Sequence, residues 1–182
     1  RRAKDSGLKV SCSVTPYHLF FTDADLVNYD TNLKVYPPLR DEPSVTALRM
    51  GVLDGTVDCI ASHHLPHESD SKVVEFEYAR PGMTGLETTY AILRTLLPGL
   101  SAEKTVDLLS RRPRELFGLA LTPIGEGQPV SLSLFDPAGH MRLEESNTRS
   151  RSKNSPFMGK ELKGRVLGIL NGGHSFFNST TP

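Results

Sequence analysis

The 182-residue chain balances 21 Lys and Arg against 21 Asp and Glu, with 37% hydrophobic and 23% charged residues, as expected for one globular domain or slightly more. A formal charge of zero offers no basic field to a phosphate backbone, so nucleic acid is not an expected partner. No apolar run approaches the roughly 18 residues of a membrane helix, and Arg1-Arg2-Ala3-Lys4 is followed by no signal-type apolar core, which points to a soluble, cytoplasmic protein with no membrane partner.

The first residues read as the last turn of a helix closing at Gly7, with cations near its end, so the chain is expected to begin in mid-fold. Leu8 to Val14 alternates with period two before Pro16 and predicts a strand. Residues 15 to 40 hold little periodicity and read as a long loop with one short helical turn near Thr22 to Val27. Loops of that length inside compact domains are often functional. From Ser44, Val45, Leu48, Val52 and Leu53 recur at helical spacing until Asp54-Gly55, and Asp58 to Ala61 follows as a short strand. Cys12 and Cys59 lie in apolar stretches and read as buried thiols rather than as a disulfide or a zinc knot.

Thr84 and Glu87 have the spacing of a capping box, for a helix whose face carries Leu86, Tyr90, Leu93 and Leu97 and which Pro98-Gly99 ends. Ser101 is placed to cap a helix with Val106 and Leu109, and Pro113 to Gly118 reads as a short third helix. Strands and helices in this order define an α/β layout. After Leu121 the pattern changes to β signals, first at Val130 to Phe135 and again at Arg165 to Leu170 beyond a polar stretch. A boundary is therefore expected near residue 121, between a first segment at 1–121 and a second at 122–182.

Three of the six histidines fall together in Ser62-His63-His64-Leu65-Pro66-His67, just after the second strand. Imidazole is the commonest side-chain metal ligand, and side chains at the C-terminal ends of parallel strands point into the catalytic face of a βα barrel. The same residues also suit a surface loop whose rings hydrogen-bond to backbone. Their spacing matches no closed zinc motif, so any metal needs ligands from elsewhere.

Five segments in order, Val14-Thr15-Pro16-Tyr17-His18-Leu19, Lys34-Val35-Tyr36-Pro37-Pro38-Leu39-Arg40, Asp54 to Ser62, Gly82-Met83-Thr84-Gly85-Leu86-Glu87 and Ser152-Lys153-Asn154-Ser155-Pro156-Phe157, resemble the dihydroorotases of the amidohydrolase superfamily. The resemblance implies the C-terminal part of a metal-dependent (β/α)8 TIM barrel. Its last two strands and their helices would lie in 1–121, with a small β-sandwich segment in 122–182. A barrel alone needs about 250 residues, so the early metal ligands are expected upstream. The implied activity is hydrolysis or closure of a cyclic amide, dihydroorotate and carbamoyl aspartate, in pyrimidine biosynthesis, with one or two zinc ions.

By the same resemblance His63 stands where the family has an aspartate that binds metal and moves the proton, which makes His63 the candidate catalytic residue and metal ligand. His67 matches the substrate-contacting histidine of that motif. Tyr36 replaces a substrate-binding asparagine, Tyr17 replaces a histidine, and Pro81-Gly82 stands where the family often has Phe-Gly against the substrate ring. Tyr36, His67, Pro81 and Gly82 are thus the expected substrate contacts, although Tyr36 also suits a loop aromatic packed on Pro37. An imidazole that ligates through one nitrogen carries N–H on the other, so His63 cannot ligate and accept a proton as a carboxylate does. These departures leave two readings, a zinc-dependent cyclic amidohydrolase or a catalytically impaired family member serving as a structural or assembly subunit. Either is expected as a homo-oligomer or assembled with its N-terminal half.

Overall fold

The computed structural model describes residues 1–121 and 123–178. Its first sheet is small and sets the direction of everything around the site. Strand β1 (Ser13–Val14) runs parallel to β2 (Cys59–Ile60), with Ser13 beside Cys59 and Val14 beside Ile60. Helix α1 (Arg2–Asp5) precedes β1 and ends before Gly7, whose φ of 76° lies in the left-handed region. Lys4 Nζ holds both Asp58 carboxylate oxygens at 2.7 Å, and Asp58 Oδ2 accepts the Cys12 N–H at 2.8 Å.

The strand expected over Leu8 to Val14 is formed only at its last two residues, and Leu8 and Val10 are exposed. Alternation alone does not make a ladder, and among the described residues no strand pairs with 8–11. Cys12 is exposed rather than buried, on the rim with its Sγ 3.3 Å from the Thr56 carbonyl; Cys59 is buried as expected.

Residues 15 to 40 are more structured than a loop. Thr15 accepts the His18 N–H at 3.2 Å and Pro16 occupies the first turn of α2 (Pro16–Phe20), because a missing N–H costs nothing where no helical partner exists. Two 3₁₀ turns follow at Asp23–Asn28 and Thr31–Leu33. Helix α3 (Glu42–Leu53) starts one residue after its N-cap Asp41, which accepts the Ser44 N–H at 3.2 Å.

Helix α4 spans Thr89–Leu96 with Thr88 as its N-cap residue, so Thr84 and Glu87 do not form the expected capping box. Glu87 reaches instead to the Thr148 hydroxyl at 2.7 Å and the Arg149 and Ser150 N–H groups at 2.8 and 3.1 Å, and Leu86 is exposed. Ser101 caps α5 (Ala102–Val106) as expected. The helix then continues through a π turn at Asp107–Arg111 into α6 (Arg112–Leu116), so the short helix expected from Pro113 is not separate. Pro113 has no N–H for the carbonyl four residues back, and a π turn is one way a helix absorbs that loss. It also turns Leu108 into the core while Val106 stays exposed.

The second sheet is antiparallel, in the order β3 (Ser131–Arg142), β4 (Glu161–Asn171), β5 (His174–Phe177). A register shift between Asp136 and His140 absorbs Pro137 to Gly139, which lets β3 run beyond the expected Phe135. Gly172-Gly173, both at positive φ, turn β4 back into β5. Tyr90 of α4 stacks on Phe135 with ring centroids 4.2 Å apart, and Thr95 accepts the Lys163 N–H at 2.9 Å. Helix α4 thus joins two apolar clusters. Ile92 packs with Tyr17, Phe21, Met83, Phe157 and Leu162, whereas Leu93 packs with Val14, Leu19, Val52, Ile60 and Leu108. The architecture is α/β, and no closed barrel forms among the described residues. No described helix is long and apolar enough to cross a membrane.

Candidate functional site

Because β1 and β2 are parallel, the segments that follow them, from Thr15 and from Ala61, leave the same end of the sheet. The two segments meet: the Lys34 carbonyl accepts the Gly82 N–H at 2.8 Å, which sets the Tyr36 turn beside Pro81-Gly82. Tyr36 is 76% exposed and makes no side-chain hydrogen bond among the described residues. The turn behind it is anchored by a residue that sequence reasoning missed. His18 Nε2 lies 2.8 Å from the Pro37 carbonyl and must carry its proton there, so the Thr15 hydroxyl donates to Nδ1 at 2.7 Å. Burial pushes the His18 pKa down, which keeps this ring neutral.

The three clustered histidines have separate positions. His63 has a φ of 45°, in the left-handed region where Asn, Asp and His are the enriched non-glycine residues. Its Nδ1 is hydrogen-bonded to the Tyr17 hydroxyl, and the two rings stack with centroids 6.1 Å apart. Tyr17 is 2% exposed and burial pushes its phenol upward, so it stays protonated. Only Nε2 of His63 is left to face a ligand.

His64 is structural. Its Nδ1 accepts the Gly85 N–H at 3.1 Å, and it pairs as a bridge with Met83. Gly85 has to be glycine, since a Cβ there would stand 2.3 Å from the Ser62 carbonyl oxygen. For His64 the backbone-bonding reading of the cluster holds.

His67 lies against the other expected contacts. Its Nε2 donates to the Pro81 carbonyl at 3.1 Å, which leaves Nδ1 as its free edge. Gly82 sits at φ 129°, and a Cβ on it would be 2.6 Å from Leu65 Cβ and 3.1 Å from His67 Nε2. Two buried side chains fix this group from behind, and neither was singled out by sequence. Asn154 accepts the His67 N–H at 3.1 Å and donates to the Leu65 and Gly82 carbonyls at 3.0 and 3.3 Å. Lys72 donates to the Thr31, Arg80 and Gly82 carbonyls. A cleft of about 710 Å³ opens beside His67, lined also by Asn32, Lys72, Arg151 and Lys153.

The structure therefore brings His67, Pro81 and Gly82 into one face, with the Tyr36 turn beside it, and holds His63 on Tyr17. As a metal site the arrangement is incomplete. Among the described residues no group of three His, Cys, Asp or Glu stands together, and His63 offers one free nitrogen. The described residues do not by themselves fit a metal ion, which needs about four donors.

No protein-family model matches the chain. A dihydroorotase from Trichlorobacter lovleyi is 37% identical over 180 residues, 98% of this chain and 42% of that protein. One from Geobacter sp. (strain M21) is 39% identical over 169 residues, 92% and 40% of the two chains. The L-hydantoinase (dihydropyrimidinase) of Arthrobacter aurescens superposes with a TM-score of 0.86 at 26% identity, over 96% of this chain and 40% of its own. The inactive dihydroorotase-like domain of the Chaetomium thermophilum CAD-like multifunctional protein shares the fold, with a TM-score of 0.67 at 21% identity over 96% of this chain and 45% of its own. Parallel strands that deliver their loops to one end, and these structural neighbours, define a chain of the amidohydrolase superfamily. Within it, the chain belongs to the dihydroorotase family. It spans about two fifths of the length of the curated relatives it matches.

Proposed function

We propose that the whole protein is a dihydroorotase-type hydrolase, which opens or closes the cyclic amide of dihydroorotate and carbamoyl aspartate in pyrimidine biosynthesis in the cytoplasm. The observation that carries this reading is the face made by His67, Pro81 and Gly82, fixed from behind by Asn154. With Nε2 committed to Pro81, His67 presents Nδ1, which accepts a ring N–H or, when protonated, donates to a substrate carboxylate. Glycine at 82 lets Leu65 and the His67 ring pack directly against the backbone of this face, and the exposed Tyr36 hydroxyl provides one further donor or acceptor.

His63 is the proposed catalytic group and the one metal donor of this chain, through Nε2, with Tyr17 holding its other nitrogen. The zinc that the family implies would take most of its ligands from outside the described residues, where it would polarise a carbonyl or activate water. In this reading residues 1–121 form the last two strands and helices of the barrel and 122–182 a sandwich segment. Assembly with the N-terminal half or a second copy completes the face.

Turnover of the full-length, metal-replete protein tests the proposal. Wild type is expected to interconvert dihydroorotate and carbamoyl aspartate, His63→Ala to lose that turnover, and His63→Asp to change both turnover and bound metal. Absence of turnover in wild type would overturn the reading in favour of a structural or assembly subunit. Equal behaviour of both variants and wild type would remove His63 from the site.

A further inference from the structure

Lysine is almost never fully buried unless its charge is met, yet Lys72 is 6% exposed and forms no ion pair among the described residues. Its ammonium is met by backbone alone. The three protons point to the Thr31 carbonyl at 2.7 Å, the Arg80 carbonyl at 2.8 Å and the Gly82 carbonyl at 2.9 Å. Its own carbonyl accepts the Thr31 hydroxyl at 2.6 Å, so the same two residues are tied in both directions. We propose that Lys72 is the positioning residue of the ligand-binding face: its ammonium holds the Arg80 and Gly82 carbonyls on either side of Pro81 and thereby fixes the Pro81 carbonyl against which His67 is held. The inference rests on the proposed reading of that face as the cyclic-amide site.

The geometry distinguishes Lys72 from its neighbour. Lys34 ties the same segment through the Phe76 and Glu77 carbonyls at 2.8 and 2.7 Å, five or more residues before Gly82, and touches neither Pro81 nor His67 by its side chain. Gly82 is gripped on both sides, the carbonyl of its peptide with Met83 by Lys72 and Asn154 and the N–H of its peptide with Pro81 by the Lys34 carbonyl. Three carbonyls need three protons, and only the ammonium has them; a neutral amine has two and must release one carbonyl. What the ammonium contributes here is the fixed direction of three backbone dipoles.

The charge is also poised to be lost. Burial draws the Lys72 ammonium down to about 8, with Asp30 opposing and Lys34 adding to that effect. His67, Glu68, Arg151 and Lys153 line the cleft beside it, and Arg80 supplies one of the carbonyls. The grip on Gly82 is therefore expected to weaken just above neutral pH.

The test uses the full-length protein and two readouts, steady-state kinetics on dihydroorotate and hydrogen exchange of the 76–82 amides expressed as protection factors. For wild type, KM is expected to rise above about pH 8 while kcat changes less, and the protection of the Gly82 amide to fall over the same range. Lys72→Met is expected to raise KM about tenfold below pH 8, to abolish the alkaline rise and to lower Gly82 protection throughout. Lys34→Met should lower protection at 76–79 and leave KM within about twofold. If wild type has no turnover, the catalytic reading fails on its own, and the pH dependence of Gly82 protection still decides the role of Lys72. The same wild-type measurement decides it should Lys72→Met not fold. An unchanged KM and Gly82 protection in Lys72→Met, or a flat wild-type protection profile through pH 8, would overturn the proposal.

Discussion

Asn154→Ala removes three hydrogen bonds at one point, and their partners set the size of the effect. Gly82 keeps a donor in Lys72, but the His67 N–H and the Leu65 carbonyl have no other hydrogen-bond partner among the described residues. A polar group left without a partner costs about 1–3 kcal/mol. Both bonds are only partly buried, so water reaches them and the lower half of the range applies, about 2–4 kcal/mol together. The shift is read as a fall in the urea midpoint of the full-length protein with an unchanged slope. Asn154→Asp keeps an acceptor for His67 but turns a carboxylate toward the Leu65 and Gly82 carbonyls, and should cost at least as much. Asn154→Ala should also weaken dihydroorotate binding, since it frees the His67 backbone N–H and one of the two donors on the Gly82 carbonyl. A loss below about 0.5 kcal/mol, the scale of an ordinary surface change, would refute the role given to Asn154.

Glu87 gives a pH test. Burial alone would raise its carboxyl pKa, but the Arg149 N–H, the Thr148 hydroxyl and the Ser150 N–H outweigh burial and hold it below its ordinary 4.5. A carboxylate depressed on folding stabilises above its unfolded pKa and loses that contribution as pH falls through the folded value. Glu87→Gln should therefore be less stable than wild type at neutral pH, with the gap closing below about pH 4.5; a gap constant with pH would contradict this. Gly85→Ala forces a Cβ to 2.3 Å from the Ser62 carbonyl and should cost about 1–3 kcal/mol of strain, again read from the urea midpoint.

The parts legible from sequence are those whose pattern is local. Helix α3 announced itself through Val45, Val52 and the Asp54-Gly55 stop, and His67 through its place in an ordered set of motifs. Helix α2 is only five residues long, too short for periodicity, and its one signal was threonine followed by proline. Glu87 satisfied the spacing of a capping box, yet the N–H groups of 149 and 150, distant in sequence, took its carboxylate. Asn154 and Lys72 look like surface residues in a sequence. Their role arises from burial against carbonyls up to 89 residues away, which no local pattern encodes.

Equilibrium binding of dihydroorotate to the full-length protein, wild type against His67→Ala, tests the ligand-binding face most directly. Loss of one charge-assisted or neutral hydrogen bond to ligand should weaken binding by about 1–3 kcal/mol, roughly 5- to 150-fold in Kd, while the urea midpoint changes little because His67 keeps its backbone bond to Asn154. Unchanged affinity in His67→Ala, with wild type binding the ligand, would contradict the placement of the substrate against His67, Pro81 and Gly82.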